Sequence, residues 1–166
     1  MKKKLFRAIL PVAFLFTLLS CSSEPVENIA ASNAAATTAY TYTPDELELE
    51  AAINEYRVSI GLNALESVNY ISYKAEEHNE YMIEKNVVNH DYFQERSDNI
   101  IEVLGAVKVN ENVAYNYMTA ESVLHAWLNS AAHKANIKGD FTHFGVSIRT
   151  DPDNGNKYYT NIFIKI

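Results

Sequence analysis

The sequence has little of what would settle its chemistry at once. It holds a single cysteine, Cys21, so no intrachain disulfide can staple it and the fold must rest on its core. Basic side chains are scarce: 14 Lys and Arg stand against 21 Asp and Glu, a formal charge of −7. Four of the basic residues, Lys2, Lys3, Lys4 and Arg7, fall within the first twenty positions, where there is no acid, so a chain without that segment carries −11. A surface of that sign repels phosphate backbones, which counts against nucleic acid as a partner, and it offers anionic lipid no attraction. The apolar run AILPVAFLFTLLS is shorter than the roughly 20 residues a membrane-spanning helix needs. The sequence contains no internal repeat, no HExxH and no recognised nucleophile motif.

What is present begins at the N-terminus. The basic stretch MKKKLFR followed by the short apolar run has the shape of a secretory signal. It ends in Leu18-Leu19-Ser20-Cys21, which resembles a bacterial lipobox. That resemblance implies that residues 1–20 are a cleaved lipoprotein signal peptide, that Cys21 receives a diacylglyceryl group, and that the new N-terminus is acylated. Each buried acyl CH₂ contributes ~0.8 kcal/mol, and two or more chains give stable anchoring. The expected product is an extracytoplasmic lipoprotein of the cell envelope, held to a membrane through Cys21 without spanning it. Residues 21–42 carry the acylated cysteine and then a small, polar, aperiodic stretch that reads as a flexible tether. A coil of that length spans about 25 Å root-mean-square. Residues 43–166 have the size of one domain.

Within that domain Thr43-Pro44-Asp45-Glu46 predicts a helix start, with Thr43 as cap, Pro44 in the first turn and Glu46 closing a capping box. The helix should run to Gly61. A second helix is expected from about Ser67 to Lys85, with Val68, Ile71, Ala75, His78 and Met82 on its buried stripe. A short helix follows near Ser97 to Leu104, then a strand over Lys108 to Tyr115, then a helix capped by Thr119 and ending near Ser130. Phe144 to Arg149 and Lys157 to Ile166 read as two strands, joined by a turn at Asp151-Pro152-Asp153-Asn154-Gly155. Helices first and a hairpin last predict an α+β fold with a small antiparallel sheet covered by helices.

Two histidines flank the only tryptophan in the stretch Val123 to Ile137. Eight positions separate His125 from His133, which puts them roughly 80° apart on a helix. Together with other stretches this region resembles the CAP superfamily, which comprises the cysteine-rich secretory proteins, antigen 5 and the plant pathogenesis-related proteins, in its bacterial branch. The stretches are Asn89-His90-Asp91-Tyr92-Phe93, Asn110-Glu111-Asn112, Trp127 through Ile137, and Phe141-Thr142-His143-Phe144-Gly145-Val146. Ile53-Asn54-Glu55-Tyr56-Arg57 and Ala75-Glu76-Glu77-His78 add to the match, in order. The resemblance implies a three-layer α–β–α sandwich with a cleft lined by histidines and acids. It assigns His90, Glu111 and His133 to that cleft. The position of a second family glutamate holds Ser130, and Asn110 replaces a family glycine. His133 therefore belongs to the cleft, whereas His125, in mid-helix and off the Trp127 face, belongs to solvent.

Two imidazoles and a carboxylate form a zinc-type donor set, so His90, His133 and Glu111 are candidate ligands for zinc or another divalent cation. Without metal the same residues can form a hydrogen-bonded cluster that fixes a cleft wall. Ser130 as a nucleophile would need His133 within reach as its base. Trp127 and His78 read as core, and Tyr92, Tyr115 and Tyr117 as rim or half-buried residues. The expectation is a binding module for an apolar small molecule, a protein partner or a divalent metal. The alternatives are a metal-dependent hydrolase or peptidase using the same cleft, and a purely structural or adhesive surface protein. Ser130 in place of the second acid favours binding over catalysis.

Overall fold

A computed structural model describes residues 38–166. The expected signal peptide, Cys21 and most of the tether lie outside the described residues. Helix α1 (Pro44–Ser59) starts as its sequence dictates: Thr43 Oγ1 accepts from the Glu46 amide at 3.3 Å, and Glu46 Oε2 accepts from the Thr43 amide at 2.8 Å. The domain also reaches further back than Thr43. Tyr40 donates its hydroxyl to the buried Glu46 carboxylate at 2.8 Å, and the Tyr42 hydroxyl bonds Ser72 Oγ at 2.9 Å. The two tyrosine rings meet edge to face. The boundary expected at 42/43 therefore moves outward, because these side chains are seated on the domain.

After α1 come β1 (Glu66–Ser67), α2 (Asn69–Lys85), α3 (Phe93–Leu104), β2 (Lys108–Tyr115), α4 (Ala120–Asn129), α5 (Ala131–Ile137), β3 (His143–Thr150) and β4 (Lys157–Lys165). The four strands lie in the order β1-β3-β4-β2. The β2–β4 and β3–β4 pairs are antiparallel, as expected, while β1 adds two residues in parallel beside β3. The sheet is thus mixed at one edge, where a strand of two exposed residues carries no alternation to read.

Strand alternation sends the two sides of the sheet into two cores. Phe144, Val146, Tyr159 and Phe163 pack with Leu49, Ile53 and Trp127 under α1, α4 and α5. On the other side Val109, Ile162 and Ile164 pack with Ile71, Ala75 and Ile100 of α2 and α3, and Val113 and Tyr158 pack with Met82. Every residue of β4 from Tyr158 to Ile164 is buried, which is the signature of a strand covered on both faces. The three layers are therefore present. Gly145 lets α2 lie directly on the sheet, since a Cβ there would stand 2.4 Å from the Ser72 backbone nitrogen. Arg57 ties α1 to the end of α5. Its guanidinium donates to the carbonyls of Ile137 at 2.7 Å, Gly139 at 3.0 Å and Asn63 at 2.9 Å.

Two helix starts differ from the expectation, and one helix is additional. Helix α2 begins at Asn69, two residues late. Helix α3 begins at Phe93, four residues before Ser97, because Tyr92 takes a left-handed conformation (φ 57°) that turns the chain straight into the helix. Helix α4 stops as predicted, but Ser130, with extended backbone, serves as a hinge to a further helix, α5.

Candidate functional site

Glu111 occupies β2 at the free edge of the sheet, with its side chain on the α2/α3 side and only 1% exposed. Arg96 of α3 grips it as a fork. Arg96 Nε donates to Oε2 at 3.0 Å, and Nη2 lies 2.9 Å from Oε1 and 2.8 Å from Oε2. His90 Nδ1–H donates to Oε1 at 2.9 Å from the loop before α3. His78 Nε2 stands 3.8 Å from the same oxygen. Both carboxylate oxygens are thus engaged by charge-assisted bonds.

The loop that carries His90 is pinned on all sides. His78 Nε2–H donates to the Asn89 carbonyl at 2.9 Å; since a carbonyl only accepts, this fixes the tautomer and leaves Nδ1 bare. That Nδ1 is buried and has no hydrogen-bond partner among the described residues. Burial holds the His78 imidazole below the ordinary histidine range, against the opposing pull of Glu111. Asn89 Oδ1 accepts from the Asp91 amide, Tyr81 donates to Asp91 Oδ2, and Arg96 Nη1 donates to the Asp91 carbonyl at 2.9 Å. Half of the His90 side chain remains exposed.

His133 approaches from the other layer. It sits on α5, half-buried, with its pKa lowered first by burial and then by the charge of His90. His90 and Glu111 thus lie on one side of the β2 edge and His133 on the other. Side chains from α4 and α5 close much of that edge. Trp127 Nε1 donates to the Val113 carbonyl at 3.0 Å, and Asn136 Nδ2 donates to the Glu111 carbonyl at 3.1 Å and to Asn112 Oδ1 at 2.7 Å. Asn112 Nδ2 in turn donates to the His133 carbonyl at 3.1 Å. Asn110, in the family glycine position, keeps regular strand geometry and bonds Asn136 at 2.6 Å.

The expected triad is thus brought together only in part: His90 and Glu111 touch, whereas His133 faces them around the strand edge. As a donor set the three do not fit a metal ion. The Glu111 carboxylate is occupied by a guanidinium, and among the described residues no three His, Cys, Asp or Glu side chains are placed to hold an ion. Ser130 lines a cavity of about 280 Å³ with His133, Trp127, Tyr115 and Tyr117, but no hydrogen bond joins Ser130 to His133 among the described residues. His125 is exposed and bonds Asn129, as expected. His143 bonds Thr142 and faces Glu66 near β1, at the opposite edge of the sheet.

Sequence reasoning missed Arg96, and it read His78 as plain core. Arg96 is the one basic residue of α3, a signal that some acid must answer it, but that acid lies 15 positions on in another element.

The profile of the Cysteine-rich secretory protein family (CAP) matches residues 50–163. An "Uncharacterized membrane protein YlbC" of Bacillus subtilis (strain 168) is 35% identical over 129 residues, which is 74% of this chain and 35% of that protein. The chain thus spans about a third of that relative's length. The structure resembles an outer surface protein from Borrelia burgdorferi with a TM-score of 0.67 at 23% identity, covering 75% of this chain and 96% of the other. It also resembles an extracellular protein containing a SCP domain from Bacillus anthracis str. Ames, with a TM-score of 0.64 at 23% identity, over 77% of this chain and 45% of the other. Among the described residues no helix is long and apolar enough to cross a membrane.

Proposed function

The chain belongs to the cysteine-rich secretory protein family, and on that footing we propose that it is a lipid-anchored, extracytoplasmic binding module whose ligand occupies the cleft around the β2 edge. The observation that carries this reading is the saturation of Glu111. A carboxylate held by both oxygens in a guanidinium fork, with an imidazole on one of them, has no lone pair placed for a substrate proton or a metal-bound water. That counts against the hydrolase alternative, which needs Glu111 as base or ligand. Neither imidazole is so consumed, since His90 and His133 keep exposed ring surface.

The lipobox-like stretch and the polar tether support an anchor at Cys21. Replacing Cys21 by Ala should move the protein from the membrane fraction to the soluble fraction; retention in the membrane would remove the anchor from the proposal. On a broad peptide and ester panel the wild type should be inactive. Turnover that Glu111→Gln abolishes would restore the enzyme reading.

A further inference from the structure

Residues 38–42, ahead of α1, are built into the domain. Their burial alternates: Thr38, Tyr40 and Tyr42 turn inward, while Ala39 and Thr41 stay exposed, the period of an extended segment lying on a surface. The inward side chains are seated along one line. In β3 alternate amides point off the edge away from β4. There the Val146 amide donates to Ser72 Oγ at 3.2 Å and the Ile148 amide to Glu46 Oε1 at 2.8 Å. The tyrosines hold these same two side chains from outside: the Tyr42 hydroxyl bonds Ser72 Oγ, and the Tyr40 hydroxyl donates to Glu46 Oε1. Arg149 Nη2 donates to the Tyr40 hydroxyl at 3.1 Å, and its guanidinium lies 5.6 Å from the centre of the Tyr40 ring. Asn69 Nδ2 donates to the Thr38 carbonyl at 3.3 Å. Residues 38–42 thus form a strap over the outer edge of β3. The family profile begins at residue 50, so the strap lies ahead of the matched stretch. β2 and the cleft stand at the opposite edge of the sheet.

We propose that the strap sets how the domain stands on its membrane, with the β1/β3 edge toward the bilayer and the β2 edge and its cleft toward the aqueous phase. That presentation depends on the anchor at Cys21 proposed above and adds the side from which the cleft is reached. With residues 38–42 seated, residues 21–37 alone join the anchor to the domain. As the coil their composition predicts, they span about 23 Å, less than the diameter of roughly 35 Å that a domain of this size has. Laying the β2 edge on the bilayer would draw that coil around the domain, well beyond its mean span. The cleft therefore meets ligands dissolved in the aqueous phase and not lipids of the anchoring leaflet. The strap also gives Tyr40 and Tyr42 a task that the fold of residues 50–163 does not explain: they fix the point where the chain leaves the domain.

The chain's only tryptophan, Trp127, reports on the test, since its Nε1 donates to the Val113 carbonyl at the β2 edge. The lipidated full chain is reconstituted in phosphatidylcholine vesicles containing a dansyl-headgroup lipid, and loss of tryptophan emission by energy transfer is measured. The wild type should transfer weakly, and Ala39→Trp should add a component quenched several-fold more strongly. Tyr40→Ala/Tyr42→Ala frees the strap and should raise transfer from Trp127 several-fold. If circular dichroism shows that pair unfolded, Tyr40→Phe/Tyr42→Phe, which removes only the hydroxyl bonds, should raise it by a smaller step. Trp127 quenched as strongly as the tryptophan of Ala39→Trp would overturn the orientation. Transfer indifferent to every strap variant would overturn the strap's part in it. Protein that does not float with the vesicles would overturn the anchor reading, and the presentation with it.

Discussion

Replacing Arg96 by Met tests the cleft architecture most directly. The Arg96 side chain is 10% exposed and that of Glu111 1%, so the substitution strands a buried charge with only His90 Nδ1–H at 2.9 Å and His78 at 3.8 Å to answer it. Breaking a buried pair from one side costs about 3–5 kcal/mol, whereas replacing both partners by groups of similar shape is often near neutral. With an unfolding entropy of about 2.1 cal/mol/K per residue, a loss of 3 kcal/mol in a domain of this size lowers Tm by roughly 11 °C. Thermal and urea unfolding should show that drop for Arg96→Met and recover most of it in Arg96→Met/Glu111→Gln. The difference between the single and double variants measures the coupling. A loss below about 1 kcal/mol, the range of exposed pairs, would refute the reasoning, because Glu111 would then be solvated and free to act as base or ligand.

Two further substitutions probe the framework. Glu50 is buried, with Ser67 donating to Oε2 and no partner for Oε1 among the described residues, and burial, then the charge of Glu46, raises its pKa. A raised folded-state pKa means that the stability Glu50 lends is full below the ordinary carboxylate range and is lost as pH rises. Glu50→Gln should therefore raise Tm by a few degrees at pH 7 and by little near pH 4, and an unchanged difference across that range would contradict the assignment. Asn136→Ala removes donors to the Glu111 carbonyl and to Asn112 Oδ1; it should cost about 2 kcal/mol in urea unfolding, and a loss under about 0.5 kcal/mol would mean that water replaces those bonds freely.

Much of the fold could be read from local chemistry, and what could not had a physical cause each time. Helix α1 announces itself through a cap, a proline and a glutamate in sequence, and β2 and β4 appear where expected. Helix α5 escaped because the seven residues AAHKANI are too few to establish a period. The early start of α3 escaped because Tyr92 enters a left-handed conformation uncommon for a large side chain. The site was harder. His90 and Glu111 were matched through family resemblance, since nothing local links residues 21 positions apart. Their direct contact with Arg96 and His78 depends on which helix covers which face of β2, and the pattern KVNENVAY does not encode that choice.

The same strand edge explains what the tryptophan motif is for. An unpaired edge exposes amides and carbonyls that invite another chain. Here Trp127 and Asn136 cover two of the carbonyls, and Ile137 is fully buried in the α1/α4/α5 core. These residues of the motif are explained by packing and edge protection alone. The Ser130 hydroxyl and the His133 ring are not: neither caps a helix or fills the core, and both face the cavity. Ser130 breaks α4 from α5, and that break turns His133 toward the β2 edge instead of continuing around the helix with His125. A substitution that restored helix through position 130 would swing His133 away together with Asn136 and the buried Ile137, so it should silence the cleft and lower the unfolding temperature as well, and a variant that kept both would contradict this account of the break.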